Sequence, residues 1–311
     1  MKARLWLLAC IGLAALLVPL LPLADPAAVD LERALQPPSA AAWLEHGRTL
    51  PQWHGPLAGP CAALRRACFG EAQIAPLLGT DALGRCVLAR IANGARISLL
   101  IALVASLASL SVGTLWGASA GLAGGRGDQL LMRGADILGA LPLTFLVIFV
   151  VALLRSWRAE NPESSLDQTA VLLLVTAVVS WIPAARMVRA EVLSLRSAVF
   201  VDAARLAGAT PARILRQHIL PNTAPVAIAA WTLTVPRILV LESFLSFLGL
   251  GVEAPGVSWG LQLRQGCDAL TAVHASWWLI VFPGLALALT LLLLGSVGEA
   301  LRVRLQPGGA A

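Results

Sequence analysis

The sequence predicts an all-α polytopic membrane protein with six transmembrane helices and both termini in the cytoplasm. Three observations carry this reading. The 311 residues are 58% hydrophobic and only 13% charged, with a mean hydropathy of +0.79, whereas an ordinary soluble domain carries about a quarter charged residues. Six apolar runs approach the roughly 20 residues that a helix needs to cross about 30 Å of hydrocarbon. The Lys and Arg residues near the ends of those runs fall mostly on one side. The net charge of +6 is therefore read as topology. With no basic patch interleaved with aromatics, and no reading motif, nucleic acid is excluded as a partner.

The first run, Leu5 to Leu23, follows Lys2 and Arg4 and ends in Pro-Leu-Ala-Asp. That is not a small-residue cleavage site, so residues 1–23 are expected to be a retained helix and not a signal peptide. Residues 24–96 form an extracytoplasmic segment, rich in proline, without a sustained periodic element before Asp81 and expected to be irregular over much of that length. Asp81 can cap a short amphipathic helix over about residues 81–92, with Leu83, Val87, Leu88 and Ile91 on its apolar side, lying on the outer membrane surface. Residues 97–300 hold the other five runs: Ile97 to Gly121, Ile137 to Leu154, Thr169 to Ala185, Ala224 to Leu250 and Trp277 to Gly298. A tail follows over residues 301–311. Arg126 and Arg133 follow the second run, six arginines from Arg186 to Arg216 follow the fourth, and Arg302 and Arg304 lie in the tail. The opposite side carries Arg155, Arg158 and Arg264. The positive-inside bias thus places the termini and the 186–223 loop in the cytoplasm.

That cytoplasmic loop is the longest polar island between apolar runs, and its spacing is informative. Arg186 to Leu206 is compatible with helix, and Ala203, Ala204 and Ala207 favour it. Gly208 can adopt positive φ and end a helix; Thr210 can cap the next, with Pro211 in its first turn. A helix, a tight turn and a second helix result. The first helix could enter a groove in a soluble partner, with Phe200, Val201 and Leu206 as anchors and Arg205 as a polar contact. A solvated amphipathic helix on the lipid surface is the alternative.

Other chemistry-bearing residues are sparse. Cys10, Cys61, Cys68, Cys86 and Cys267 form no Cys-x-x-Cys and no Cys/His cluster at metal spacing, so no metal site is expected. Cys61 and Cys68 fall outside the membrane, where a disulfide can persist, and their spacing leaves a bridge open. Arg237 and Glu242 are the two charges inside the fifth run. They are candidates for a translocation path, with packing between helices as the alternative. No Gly-rich Lys-Ser/Thr phosphate loop exists, so the chain is expected to be no enzyme and to bind no nucleotide cofactor. A secondary transporter or proton channel would require a relay of intramembrane ionisable groups or inverted repeats, and only Arg237 and Glu242 qualify.

The island resembles the EAA loop of permease subunits of binding-protein-dependent ABC importers: acidic-Ala-Ala at Asp202, Ala203 and Ala204, Gly208 four residues on, and Ile219, Leu220 and Pro221 at its end. More narrowly, the chain resembles the C-type permease of dipeptide, oligopeptide and nickel transporters. It does so through LGTDALGRCVLAR (Leu78 to Arg90), GARISL (Gly94 to Leu99) and GLAGGRGDQLLMRGADILGALP (Gly121 to Pro142). SWIPAARMVR (Ser180 to Arg189), ESFLSFLGLG (Glu242 to Gly251), SWGL (Ser258 to Leu261) and LRVRLQP (Leu301 to Pro307) continue the match. The resemblance implies a type I ABC importer permease in the bacterial inner membrane. Its partners would be membrane lipid, a second permease in a heterodimer, two cytoplasmic ATPase subunits that hold ATP and Mg, and an extracytoplasmic solute-binding protein.

Carried over by residue, Asp202, Ala203, Ala204 and Gly208 would form the docking core of a coupling helix, with Phe200, Arg205 and Leu206 beside them. The implied cargo is short peptides; nickel or another small solute is the alternative. The chain departs from the family pattern at four points. Asp202 stands where Glu is more frequent, Cys86 where Asp is usual, and Arg237 where the family is small or apolar. An apparent insertion over about 45–76 carries Cys61, Cys68 and Trp53. It is expected to be a tolerated surface loop, with contact to the binding protein or the second permease as the sharper reading.

Overall fold

The computed structural model describes residues 12, 17–39, 43–46, 58–70, 72–161, 168–253, 256–270 and 276–305. In chain order its elements are β1 (Leu44–His46), α1 (Ala58–Phe69), β2 (Ala72–Ile74), α2 (Val87–Ala123), α3 (Gly125–Ala140), α4 (Leu143–Glu160) and α5 (Gln168–Val179). There follow α6 (Ile182–Leu195), α7 (Val199–Leu206), α8 (Pro211–Ile214), a π turn over Leu215–Ile219, α9 (Leu220–Phe247), α10 (Trp259–Ala269) and α11 (Trp278–Leu305). Two compact units divide the chain: residues 102–241 with 294–311, and residues 2–101 with 242–293.

Among the described residues, four helical stretches are long and apolar enough to cross a membrane: Val87–Ala123, Thr169–Leu195, Pro211–Phe247 and Trp278–Val303. A fifth span results if the pair Gly125–Ala140 and Thr144–Glu160, bent by 78°, is taken as one. The bend falls at Leu141 and Pro142, both extended, where proline cannot continue a helix. These five overlap the second to sixth runs expected from sequence, to within three residues at their ends. The first run lies largely outside the described residues. Where its end is described, helix gives way to a short 3-10 turn, Val18–Leu20, and Leu21 is extended with ψ 147°. Pro19 and Pro22, which lack backbone donors, end the helix before Leu23.

In the first unit, packing turns on small residues. Gly113, Gly117 and Gly121 recur every four residues along one face of α2, and α6 lies on that face. A Cβ at Gly113 would stand 2.7 Å from the Trp181 carbonyl oxygen and one at Gly121 would stand 2.8 Å from the Val192 side chain; one at Gly117 would collide with the Ala185 carbonyl. In lipid, where burial of apolar surface gives helices no net attraction, such close approach supplies the dispersion contacts that hold them. Alongside, Trp116 and Trp181 stack at 5.0 Å between ring centroids, and the Trp116 indole donates to the Leu131 carbonyl at 3.1 Å. Met132, Ala135, Ile182 and Ala185 close the same cluster.

The second unit adds detail to one expectation about the outer segment and corrects another. The stretch before Asp81 is not wholly irregular: β1 and β2 pair antiparallel, Leu44 with Ile74 and His46 with Ala72. They close the apparent insertion at its two ends, with the twelve-residue helix α1 inside it. The Ile74 N–H donates to the Pro22 carbonyl at 2.6 Å and Arg65 donates to the Leu23 carbonyl at 3.1 Å, tying the ribbon and α1 down. Residues 47–57, with Trp53, lie outside the described residues.

Nor is there a separate surface helix over 81–92. Residues 81–86 form a turn closed by a Thr80–Cys86 bridge, and helix begins at Val87 and runs unbroken into the span. Asp81 caps the turn and not a helix: one carboxylate oxygen accepts from the backbone N–H groups of Leu83 and Arg85, both at 2.9 Å, and the other pairs with the Arg85 guanidinium at 2.7 Å. Gly84, at φ +72°, sits against the Asp30 backbone, where a side chain would both strain the backbone and collide. Distant residues complete the turn, since the Trp278 indole donates to the Thr80 carbonyl at 3.1 Å.

Candidate functional site

The island folds as the helix, turn and helix that its spacing predicts. Helix α7 ends in a Schellman cap: the Ala209 N–H donates to the Ala204 carbonyl at 3.0 Å and the Gly208 N–H to the Arg205 carbonyl at 2.9 Å. Gly208 supplies the left-handed residue at φ +77°, with open space around the position its Cβ would take. Thr210 then caps α8 by accepting from the Arg213 N–H at 3.3 Å, with Pro211 in the first turn. The motif is held from inside by one cluster, in which Val201, Val188, Val192, Ile214, Ile219 and Ala227 are buried.

This packing sorts the coupling residues by face. Val201 is wholly buried and Ala204 half-buried against the cluster, so neither is an external anchor. Outward face Asp202, Ala203 and Arg205, together with Phe200 at 39% exposure, Val199 at 85% and Leu206 at 91%. Asp202 and Arg205 pair across one turn at 2.9 Å on the surface. Beside them opens a polar cleft of about 540 Å³, lined by Gly124, Asp128, Arg196, Ser197, Asp202 and Arg205. The sequence did not single out Val199. Its apolar character beside Phe200 was the available signal, but nothing local separates it from buried Val201.

The two charges of α9 have different surroundings. Glu242 is fully buried. Its carboxylate accepts from the Ser246 hydroxyl at 2.8 Å and lies 3.3 Å from the Ser243 hydroxyl, with the Ser98 and Ser258 side chains close beside it. The same serines do structural work: the Ser258 hydroxyl caps α10 through the Leu261 N–H, and the Val252 and Trp259 N–H groups reach Ser246 and Ser98. Glu242 is thus enclosed by its own unit and lines no open path in this structure. Arg237 is exposed, and among the described residues it has no hydrogen-bond or ion-pair partner. A charge at the centre of a bilayer costs about 3 kcal/mol even on permissive insertion scales.

Cys61 and Cys68 are both free thiols on α1. They lie seven positions apart on the helix, about 10 Å along its axis, beyond the roughly 7 Å Cα separation that a disulfide can span. The open bridge is thereby answered: helix geometry holds them apart.

The spans, the broken helix pair and the capped helix–turn–helix make up the fold of a type I ABC importer permease. The family described as the binding-protein-dependent transport system inner membrane component matches residues 113–308, and the chain belongs to it. It is 38% identical over 229 residues to the oligopeptide transport system permease protein OppC of Haemophilus influenzae, covering 74% of this chain and 69% of that one. It is 35% identical over 257 residues to the dipeptide transport system permease protein DppC of Bacillus subtilis, covering 81% and 76% respectively. Among solved structures, a chain of the MetNI methionine ABC transporter in an inward-facing conformation shares the fold, with a TM-score of 0.54 at 16% identity over 70% of this chain and 97% of that one.

Proposed function

We propose that the chain pairs with a second permease to form a path for short peptides across the bacterial inner membrane, with both of its termini and the 186–223 loop in the cytoplasm. An extracytoplasmic solute-binding protein delivers the cargo. Two cytoplasmic ATPase subunits, which hold the ATP and Mg, drive the cycle through α7. The observation that carries this reading is the sorting of α7. Phe200, Asp202, Ala203, Arg205 and Leu206 are presented outward on a helix that Val201, Ala204 and the Gly208 cap fasten to the membrane helices. An exposed leucine on a rigid, anchored helix suits insertion into a groove of a partner. Any displacement of that groove would reach α6 and α9 through the shared apolar cluster. The peptide cargo is supported by the relatives, which are named as oligopeptide and dipeptide permeases.

The test is reconstitution. The chain, a second permease, the ATPase subunits and the binding protein are placed in liposomes, and uptake of radiolabelled trialanine is followed. Uptake that requires both ATP and the binding protein is the expected result. Uptake driven by a proton gradient without ATP would overturn the reading in favour of a secondary transporter.

A further inference from the structure

Arg237 stands deep in a span, and none of the described residues neutralises it. It lies ten residues, about 15 Å, before the end of α9 at Phe247, and seventeen residues, about 26 Å, after its start at Leu220. Neither end is within reach of its side chain, so snorkelling to an interface does not relieve it. Glu242, five residues on, is rotated about 140° around the helix and is already satisfied by serine hydroxyls. The face that packs into the first unit carries Ala227, Ala230, Thr234 and Ile238, all buried, and Arg237 is outside it. An exposed stripe on another span has a different composition: on α11, Val281, Leu285, Leu289 and Leu292 are exposed at helical spacing without one polar side-chain atom. The outer side of α9, by contrast, sets an exposed guanidinium between half-buried Leu233 and exposed Val240 at membrane depth. Such a group must face protein or water. Sealing it in a dry subunit contact would desolvate it and its counter-charge together, whereas water along a solute path leaves it hydrated until an anion arrives.

Building on the path assigned above, we propose that Arg237 faces that path and selects for peptides whose side chains carry a carboxylate over those whose side chains carry an ammonium group. A guanidinium offers a planar fork of donors that matches a carboxylate and repels an ammonium group. Arg237 is thus a specificity-determining residue and has no part in ATP coupling.

The experiment compares uptake of Ala-Glu-Ala and Ala-Lys-Ala, supplied together to the full transporter with its binding protein, ATPases and second permease in liposomes. Arg237→Gln is expected to lower the acidic-to-basic uptake ratio about tenfold, Arg237→Glu to lower it further, and Arg237→Lys to keep it within about threefold of wild type. ATPase co-purification and hydrolysis stimulated by the binding protein should stay unchanged in all three. An unchanged ratio in the Gln and Glu variants overturns the proposal, as does equal loss of both peptides, which would mark Arg237 as a packing or subunit-contact residue. Failure of the wild-type complex to import either peptide would instead strike at the importer reading itself.

Discussion

Arg189 on α6 donates two hydrogen bonds, of 2.5 and 2.6 Å, to the two carboxylate oxygens of Asp128 in the first turn of α3. The fork-to-fork geometry is the strong form of an ion pair. It sits at the base of the Gly113, Gly117 and Gly121 stripe, where Gly121 passes 3.2 Å, measured from its would-be Cβ, from the Arg189 carbonyl. Asp128 is buried and the Arg189 side chain is 33% exposed, so part of the attraction is screened. A double-mutant cycle of Asp128→Ala and Arg189→Ala, followed by thermal unfolding in detergent, should give a coupling of about 1–3 kcal/mol. A coupling near zero would mean that the glycine contacts alone hold α6 in place.

Leu206 and Val201 lie on the same two-turn helix at opposite extremes of exposure, which separates docking from folding. Leu206→Ala should leave thermal stability within about 0.5 kcal/mol of wild type, as is usual for surface positions, while ATPase co-purification falls at least tenfold. Val201→Ala should do the reverse in the first respect, costing about 2 kcal/mol of stability through the cavity it leaves. Equal stability losses in the two variants would show that α7 does not present the face described.

Gly208 tests the cap. Since the space around its Cβ position is open, a larger residue meets strain and not collision. Gly208→Ala should cost about 1 kcal/mol for the left-handed backbone, and Gly208→Asn should cost less because Asn tolerates that conformation. Gly208→Val should still insert in the membrane but lose ATPase binding, as the turn that aims α7 relaxes. Co-purification ranked Gly, Asn, Ala, Val is the expected series; normal assembly and uptake in the Val variant would return the island to a passive loop.

What could be read in advance follows from how locally each feature is determined. The spans follow from run length, and the island's helix–turn–helix from Gly208, Thr210 and Pro211, all of which act within a few residues. The facing of α7 does not, because Val199, Phe200, Val201 and Leu206 are all apolar and only the cluster around Val188 and Ile214 decides which is buried. Asp81 looked like a helix cap because its carboxylate does cap backbone donors. The turn it caps is set by Trp278, almost two hundred positions away. The stripe Gly113, Gly117 and Gly121 was visible as a spacing of four, but its meaning depends on α6 crossing there.

The free thiols of Cys61 and Cys68 make a simple prediction. Cys68 is exposed and Cys61 half-buried on the same helix, so both should react with maleimide without prior reduction, Cys68 faster. Cys61→Ser and Cys68→Ser should leave thermal stability within about 0.5 kcal/mol, the usual range for surface changes. A mass two hydrogens lighter before reduction, with both thiols protected, would show that α1 must unwind to bring them together.

Glu242 and Ser246 offer the sharpest contrast between packing and path. Glu242→Ala removes the acceptor shared by up to four hydroxyls and leaves them in a dry setting, so a loss of about 1–3 kcal/mol per stranded group is expected; the variant should accumulate poorly. Ser246→Ala removes one donor to Glu242 and the acceptor of the Val252 N–H. It should cost about 1–3 kcal/mol alone and little more when combined with Glu242→Ala, because the two changes strand the same network. Glu242→Gln keeps an acceptor oxygen and should preserve both accumulation and peptide uptake. If Glu242→Gln accumulates and assembles normally yet stops uptake, the charge itself serves transport, and the buried carboxylate must open to the path during the cycle.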